Sequence, residues 1–145
     1  ENFQALPKAF ISAKERFSDR LVCYGYEPDR MRYLSRLKEG DVVVSTAQQE
    51  NFGISVVEAV RCGCLPLLPN RLAYPEVIPE AAHADCLYDG QTDLEEKLSR
   101  ALAGFDGQQA LKEMLSAAMA RFSWANVIED YDVELTRLAA LQPVA

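Results

Sequence analysis

The spacing of apolar residues along the 145-residue chain changes period several times, and each change marks an element. Residues 4–17 (QALPKAFISAKERF) put Leu6, Ala9, Phe10, Ala13 and Phe17 on one helical stripe, which predicts an amphipathic helix. Residues 21–26 (LVCYGY) are rich in β-forming types and predict a short strand. Pro28-Asp29 opens a helix over 30–38, with Met31, Leu34 and Leu37 inward and Arg30, Arg32, Arg36 and Lys38 outward; Gly40 stops it. Val42-Val43-Val44 is apolar on both faces, as expected of a parallel strand covered by helices on each side. Ile54, Val57 and Val60 return to helical spacing with Ala59 beside them. Gly63 stands where a left-handed cap belongs, so a helix spans 54–62.

The second half repeats the alternation. Residues 64–68 (CLPLL) read as another buried strand, in which Pro66 is tolerable near the strand start or at an edge of the ladder. A loop over 69–74 leads to one helical turn at 75–78, ended by Pro79, and 86–88 form a short strand closed by Asp89-Gly90. Helices are predicted over 93–102 and 108–121, with Gly104 and Gly107 bracketing their link. Ser123 is the N-cap of a last helix to about 141. Strand and helix in alternation imply an α/β fold with a parallel sheet, in one domain over residues 1–145.

Charge is unevenly spread: residues 1–40 carry 8 basic and 6 acidic side chains, and residues 41–145 carry 7 and 16. An acidic surface repels polyanions, so a nucleic-acid partner would be gripped mainly outside this chain. The basic face of helix 30–38 reads as a solvated helix face, with a phosphate-contacting stripe as the alternative. Cys23, Cys62, Cys64 and Cys86 lie in or beside apolar segments rather than at metal-ligand spacings, which suits reduced, buried thiols; a redox role for Cys62-Gly63-Cys64 is the alternative. No run of 18 apolar residues and no signal peptide is present, so a soluble, cytoplasmic protein without membrane contact is expected.

Chemistry concentrates on residues 41–63. A strand, a loop and a helix opening on Gly53 form the shape of an anion site, because parallel sheets bind ligands outside the carboxyl ends of their strands and helix N-termini present free N–H groups there. Two carboxylates flank it, Glu50 in the loop and Glu58 one turn into the helix. Carboxylates suit diols, since each ionised oxygen accepts more than one strong hydrogen bond. Arg71 and Tyr74, in the loop after the next strand, could meet a base or an acceptor; a loop that only packs is the alternative. His83, the one histidine, has no nucleophile or partner set that the sequence can supply.

The string ENFGISVVE (50–58), with its two glutamates eight apart, followed by AVRCGCLPL, resembles the signature of retaining family-4 glycosyltransferases of the GT-B fold. CGCLPLLPNRLAYPEVIP (62–79) is similar to the tRNA-queuosine mannosyltransferases and their bacterial relatives, and the FSW (122–124) start of the last helix also fits. The resemblance runs from about residue 21 to the terminal helix. It implies that Glu58 binds ribose hydroxyls, that Glu50 holds the transferred hexose and supports charge at its anomeric carbon, and that Phe52, Gly53 and Ile54 offer backbone N–H groups to hexose and diphosphate. Asn51 replaces the family's usual proline, which lowers loop rigidity without removing a ligand group. Pro75-Glu76 matches a structural Pro-Glu pair. The resemblance further implies a metal-independent enzyme without cofactor, GDP-mannose as the donor, and queuosine in tRNA as a candidate acceptor.

The fold implied is a Rossmann-like parallel sheet, the C-terminal half of a GT-B fold, with 21–26 as its third strand, 42–45 as its fourth, and its first two strands and a whole N-terminal domain outside this chain. On that basis the isolated chain is expected to be inactive, and either to dimerise through an exposed sheet edge or to close the gap by pairing 21–26 with 42–45. A non-catalytic nucleotide-sugar module, an epimerase of the same fold and an interaction domain without ligand are the alternatives.

Overall fold

A computed structural model describes residues 8–141. Eight α-helices and three strands follow in the order α1 (Lys8–Arg16), α2 (Arg30–Glu39), β1 (Val42–Val44), α3 (Ile54–Arg61), β2 (Leu65–Pro69), α4 (Tyr74–Val77), α5 (His83–Cys86), β3 (Leu87–Tyr88), α6 (Gly90–Ala103), α7 (Gln108–Met119) and α8 (Trp124–Ala139). Short 3-10 turns at Glu80–Ala82 and Ala120–Phe122 lead into α5 and α8.

The sheet is parallel, in the order β1-β2-β3. Val42 pairs with Leu65 and Val44 with Leu67, while Leu68 pairs with Leu87. All five residues of β2 are buried, because helices cover the strand as well as its two neighbours. Pro66 sits in this central strand rather than at an edge. Leu65 N–H donates to Asp41 O on the β1 side, so the next residue turns its nitrogen toward β3, which reaches only Leu68 and Pro69. The missing N–H of Pro66 therefore faces no ladder partner.

Val56, Val57 and Val60 of α3 join Leu67, Leu68, Leu115 and Met119 in one apolar core. Each such side chain contributes about 1.5–3 kcal/mol by leaving water. α3 packs on α7, and their ends are tied reciprocally: Arg61 Nη1 donates to Ser116 O at 2.8 Å, and Ser116 Oγ donates to Arg61 O at 3.1 Å. Gly63 takes φ 102°, the left-handed cap its position predicts, and starts the chain back toward β2.

The molecule divides into two compact units, residues 1–33 and 34–145. Within them several expectations about single elements are corrected. In the first, 21–26 forms no strand: Gly25 takes φ 99°, Tyr26 is 91% exposed, and among the described residues nothing pairs with this backbone. Tyr24 instead makes local contacts, its hydroxyl with Phe10 O and its ring with Lys14 Nζ at 5.0 Å. Of the first predicted helix, residues 4–7 lie outside the described residues; Phe10 and Phe17 of its stripe are exposed. Met31 of α2 is 74% exposed, whereas Leu34 and Leu37 are half-buried. Cys23 is an exposed thiol, not a buried one. Cys64 and Cys86 are buried, and desolvation raises both, the Cys86 thiol to about 12, far from the thiolate a reactive cysteine needs. α6 begins at Gly90, earlier than expected, because Asp93 Oδ2 reaches back to accept the Asp89 N–H at 2.8 Å. Ser123 caps α8 by backbone conformation, with no side-chain cap bond.

Candidate functional site

β1 ends at Val44, and residues 45–53 run as a loop from its carboxyl end to α3. Gly53 opens the helix with φ 87°, a conformation that side chains resist. A Cβ on Gly53 would lie 3.1 Å from Tyr74 Cε1, so this glycine answers to a close approach as well as to its dihedral.

Glu50 folds back over the loop it belongs to. Its Oε1 accepts the N–H groups of Gly53 at 2.9 Å, Asn51 at 3.0 Å and Phe52 at 3.2 Å. Backbone donation by Phe52 and Gly53 holds the carboxyl below its ordinary pKa, so it is firmly ionised at neutral pH. Two of the N–H groups that the resemblance would give to a ligand, those of Phe52 and Gly53, are thus directed at Glu50. A ligand reaching them competes with that carboxylate. Ile54 and Glu58, four residues apart, share the accessible side of α3, whose other side is buried through Val56, Val57, Ala59 and Val60.

Tyr74 is packed against the loop, the alternative the sequence left open, rather than offered to a ligand. It is 1% exposed, its ring supports Gly53, and its hydroxyl lies 2.7 Å from Ser45 Oγ. It therefore presents no face on which a base or an acceptor could stack. Tyr88, at the end of β3, donates its hydroxyl to Ser45 O at 2.8 Å, and burial raises its pKa. Ser45 Oγ also accepts the Ala47 N–H at 3.2 Å. One serine just past β1 thus ties the start of α4 to the end of β3. The sequence places Ser45 at the crevice without its partners and leaves Tyr88 unassigned; the available signal was a tyrosine at the end of an apolar strand, since a buried phenol seeks a hydrogen-bond partner.

Phe52 packs edge-on against Phe122, centroids 5.1 Å apart at 85°, so the aromatic that starts the FSW string steadies this loop. Arg121, stacked over Phe122 at 4.6 Å, donates to Glu76 O and Val77 O at the end of α4. Glu76 is exposed and enters these contacts only through its carbonyl. His83 Nε2 lies 2.9 Å from Ile78 O and 3.1 Å from Pro75 O, bracing the α4 turn.

Arg71 is exposed on the loop after β2 and donates to Ala47 O at 3.1 Å, tethering that loop to the one bearing Glu50. Beside it Leu72 takes φ 62°, a strain of roughly 1–2 kcal/mol for a residue with a Cβ. A cavity of about 440 Å³ opens here, lined by Thr46, Asn70, Arg71, Tyr88, Asp89 and Leu94 among others. It takes in part of the crevice expected from the sequence, at Thr46 and loop 69–71. It extends toward β3 and the start of α6, where no site was expected, and neither Glu50 nor Glu58 lines it.

A parallel sheet that delivers a glycine-opened helix and a carboxylate-bearing loop to one end is a Rossmann-like half-domain. Residues 9–117 match the family model of glycosyl transferases group 1, and the chain belongs to that family. A relative from Drosophila melanogaster, tRNA-queuosine alpha-mannosyltransferase, is 40% identical over 98 residues, covering 68% of this chain and 25% of that protein. The chain thus spans about a quarter of that relative's length. Among the described residues, no helix is long and apolar enough to cross a membrane.

Proposed function

We propose that this chain is the donor-binding half of a retaining hexosyltransferase, with mannose from GDP-mannose as the transferred group and queuosine in tRNA as the acceptor. The observation that carries this reading is the family match over 9–117, a span that contains Glu50, Glu58 and the whole described sheet. Glu58, on the accessible side of α3, takes the ribose hydroxyls. Glu50 meets the hexose through Oε2, which accepts none of the three loop bonds, and its fixed negative charge stabilises positive charge developing at the anomeric carbon. The N-terminus of α3 faces the diphosphate without a metal ion or cofactor.

The remaining partners belong to the same proposal. An N-terminal domain completes the active site, and without it the chain performs no transfer. Trp124, Tyr131, Leu135 and Leu138 lie along one side of α8 at helical spacing and are exposed, with Trp124 and Tyr131 stacked at 5.9 Å; such a strip suits cover by that further domain. The outer edge of β1 has no partner among the described residues, which leaves dimerisation through that edge as the alternative cover. The setting is soluble and cytoplasmic.

Thermal shift with a panel of nucleoside diphosphates tests the reading, because a ligand selective for the folded state raises Tm. GDP is expected to give the largest shift, and Glu58→Ala to weaken its binding by about 1.5–3 kcal/mol. No shift with any diphosphate, or full GDP affinity in Glu58→Ala, would overturn it.

A further inference from the structure

The cavity at the carboxyl ends of β2 and β3 has a composition of its own. Its lining carries one guanidinium, Arg71, and one carboxylate, Asp89, so its formal charge is zero. Asn70 Nδ2 lies 3.4 Å from Asp89 Oδ2, which sets an amide and a carboxylate side by side on the rim. Arg71 uses Nη2 on Ala47 O, and a guanidinium carries five N–H donors in all. Pro69, Tyr88 and Leu94 supply an apolar floor, and at about 440 Å³ the space is of the size that small-molecule sites occupy.

Each feature narrows the ligand. A phosphate would meet Asp89 at close range and gain only one cation. A purely apolar ligand would strip water from Arg71, Asn70 and Asp89 without replacing its hydrogen bonds. A saturated ring bearing neighbouring hydroxyls satisfies all of them: its C–H face lies on Tyr88 and Leu94, the Asp89 carboxylate accepts hydrogen bonds from its hydroxyls, and Arg71 and Asn70 donate to the hydroxyl oxygens. We propose that this cavity is a separate binding site for a neutral, hydroxyl-rich ring. If the chain takes part in hexosyl transfer, on which this assignment rests, the ring belongs to the acceptor. The Arg71 tether to Ala47 couples its occupancy to the Glu50 loop.

The test is a ¹⁵N-resolved NMR titration of the chain with methyl β-D-ribofuranoside, methyl α-D-mannopyranoside, myo-inositol and, separately, inorganic phosphate and GDP. At least one of the three neutral polyols is expected to shift the amides of Thr46, Asn70, Asp89 and Gln91 with a millimolar Kd. Asp89→Ala should weaken that binding at least tenfold; should that variant not fold, Asn70→Ala should weaken it severalfold. Phosphate moving these amides more than every polyol, or no polyol moving them, would overturn the site. The GDP arm keeps the two readings apart, since GDP acting at the α3 N-terminus moves the amides of residues 53–56 whatever the polyols do. GDP without effect there sinks the transfer reading and leaves polyol binding to be judged alone.

Discussion

Two stretches of similar composition meet opposite fates. Residues 21–26 (LVCYGY) and 64–68 (CLPLL) are both short, apolar and bounded by turn formers, yet the second lies within the core and the first forms no ladder at all. Composition does not separate them, since the LVCYGY run has the better β-formers and the other carries Pro66. Neighbours do. Val42–Val44 and Leu87–Tyr88 lie to either side of β2, and α5 and α6 pack on it, whereas residues 21–26 belong to a separate compact unit that contains no strand among its described residues. β propensity measures fit to a pleated, half-buried surface, and without that surface it decides nothing.

The largest expected effect tests this contrast directly. Leu67 is fully buried in β2, and Leu67→Ala should cost about 2–5 kcal/mol in chemical denaturation through lost transfer energy and a residual cavity. Val22 is 78% exposed, and Val22→Ala should stay within about 0.5 kcal/mol. Comparable losses at the two positions would mean that 21–26 is buried in the protein in solution, and the contrast would fall.

A second pair sharpens it at the level of one dihedral. Gly25 and Gly53 both take positive φ, at 99° and 87°, and alanine at either should cost about 1–2 kcal/mol in strain. They differ in surroundings: a Cβ at Gly25 meets nothing within 4 Å, whereas one at Gly53 lies 3.1 Å from the Tyr74 ring, itself buried and unable to yield freely. Gly53→Ala should therefore be the more damaging in a thermal melt. Tyr74→Phe keeps the ring and loses the Ser45 partner, for roughly 0.5–1.5 kcal/mol. Equal melting points for the two glycine variants would remove Tyr74 from its role as the loop's support.

These cases show how far the sequence could be read. The three strands of the sheet, α3 and its Gly63 cap were legible because local periodicity and glycine chemistry agree with the packing that surrounds them. The alternation of strands and helices gave the parallel α/β class, and the 50–58 string pointed to the family. For Tyr74 the sequence leaves open a stacking face or a packing role, and the buried ring is the packing one, because sequence cannot say that a glycine 21 residues earlier leaves room for it. The cavity reached β3 and α6 unannounced, since Asn70 and Asp89 meet only through the register of Leu68 with Leu87. Glu50 was legible as a carboxylate in the loop before α3, but its bonds to its own loop were not, because they depend on the turn that residues 50–53 adopt.

The smallest effect concerns that turn. The carboxyl of Glu50 is held below its ordinary value of 4.5 by donation from Phe52 and Gly53, with Asn51 adding to it. A carboxylate whose folded pKa is depressed stabilises the fold above its unfolded pKa, and the contribution fades as pH falls through the folded pKa. The turn should hence hold unchanged from neutral pH down to about 4.5 and loosen only in more acid solution. The amide shifts of Asn51, Phe52 and Gly53, followed by ¹⁵N NMR, should titrate together with one midpoint below 4.5, and Glu50→Gln should abolish that titration. A common midpoint at or above 4.5 would mean that the three N–H groups do not converge on Glu50 in solution. The α3 N-terminus would then stand open to a ligand, with no carboxylate to displace.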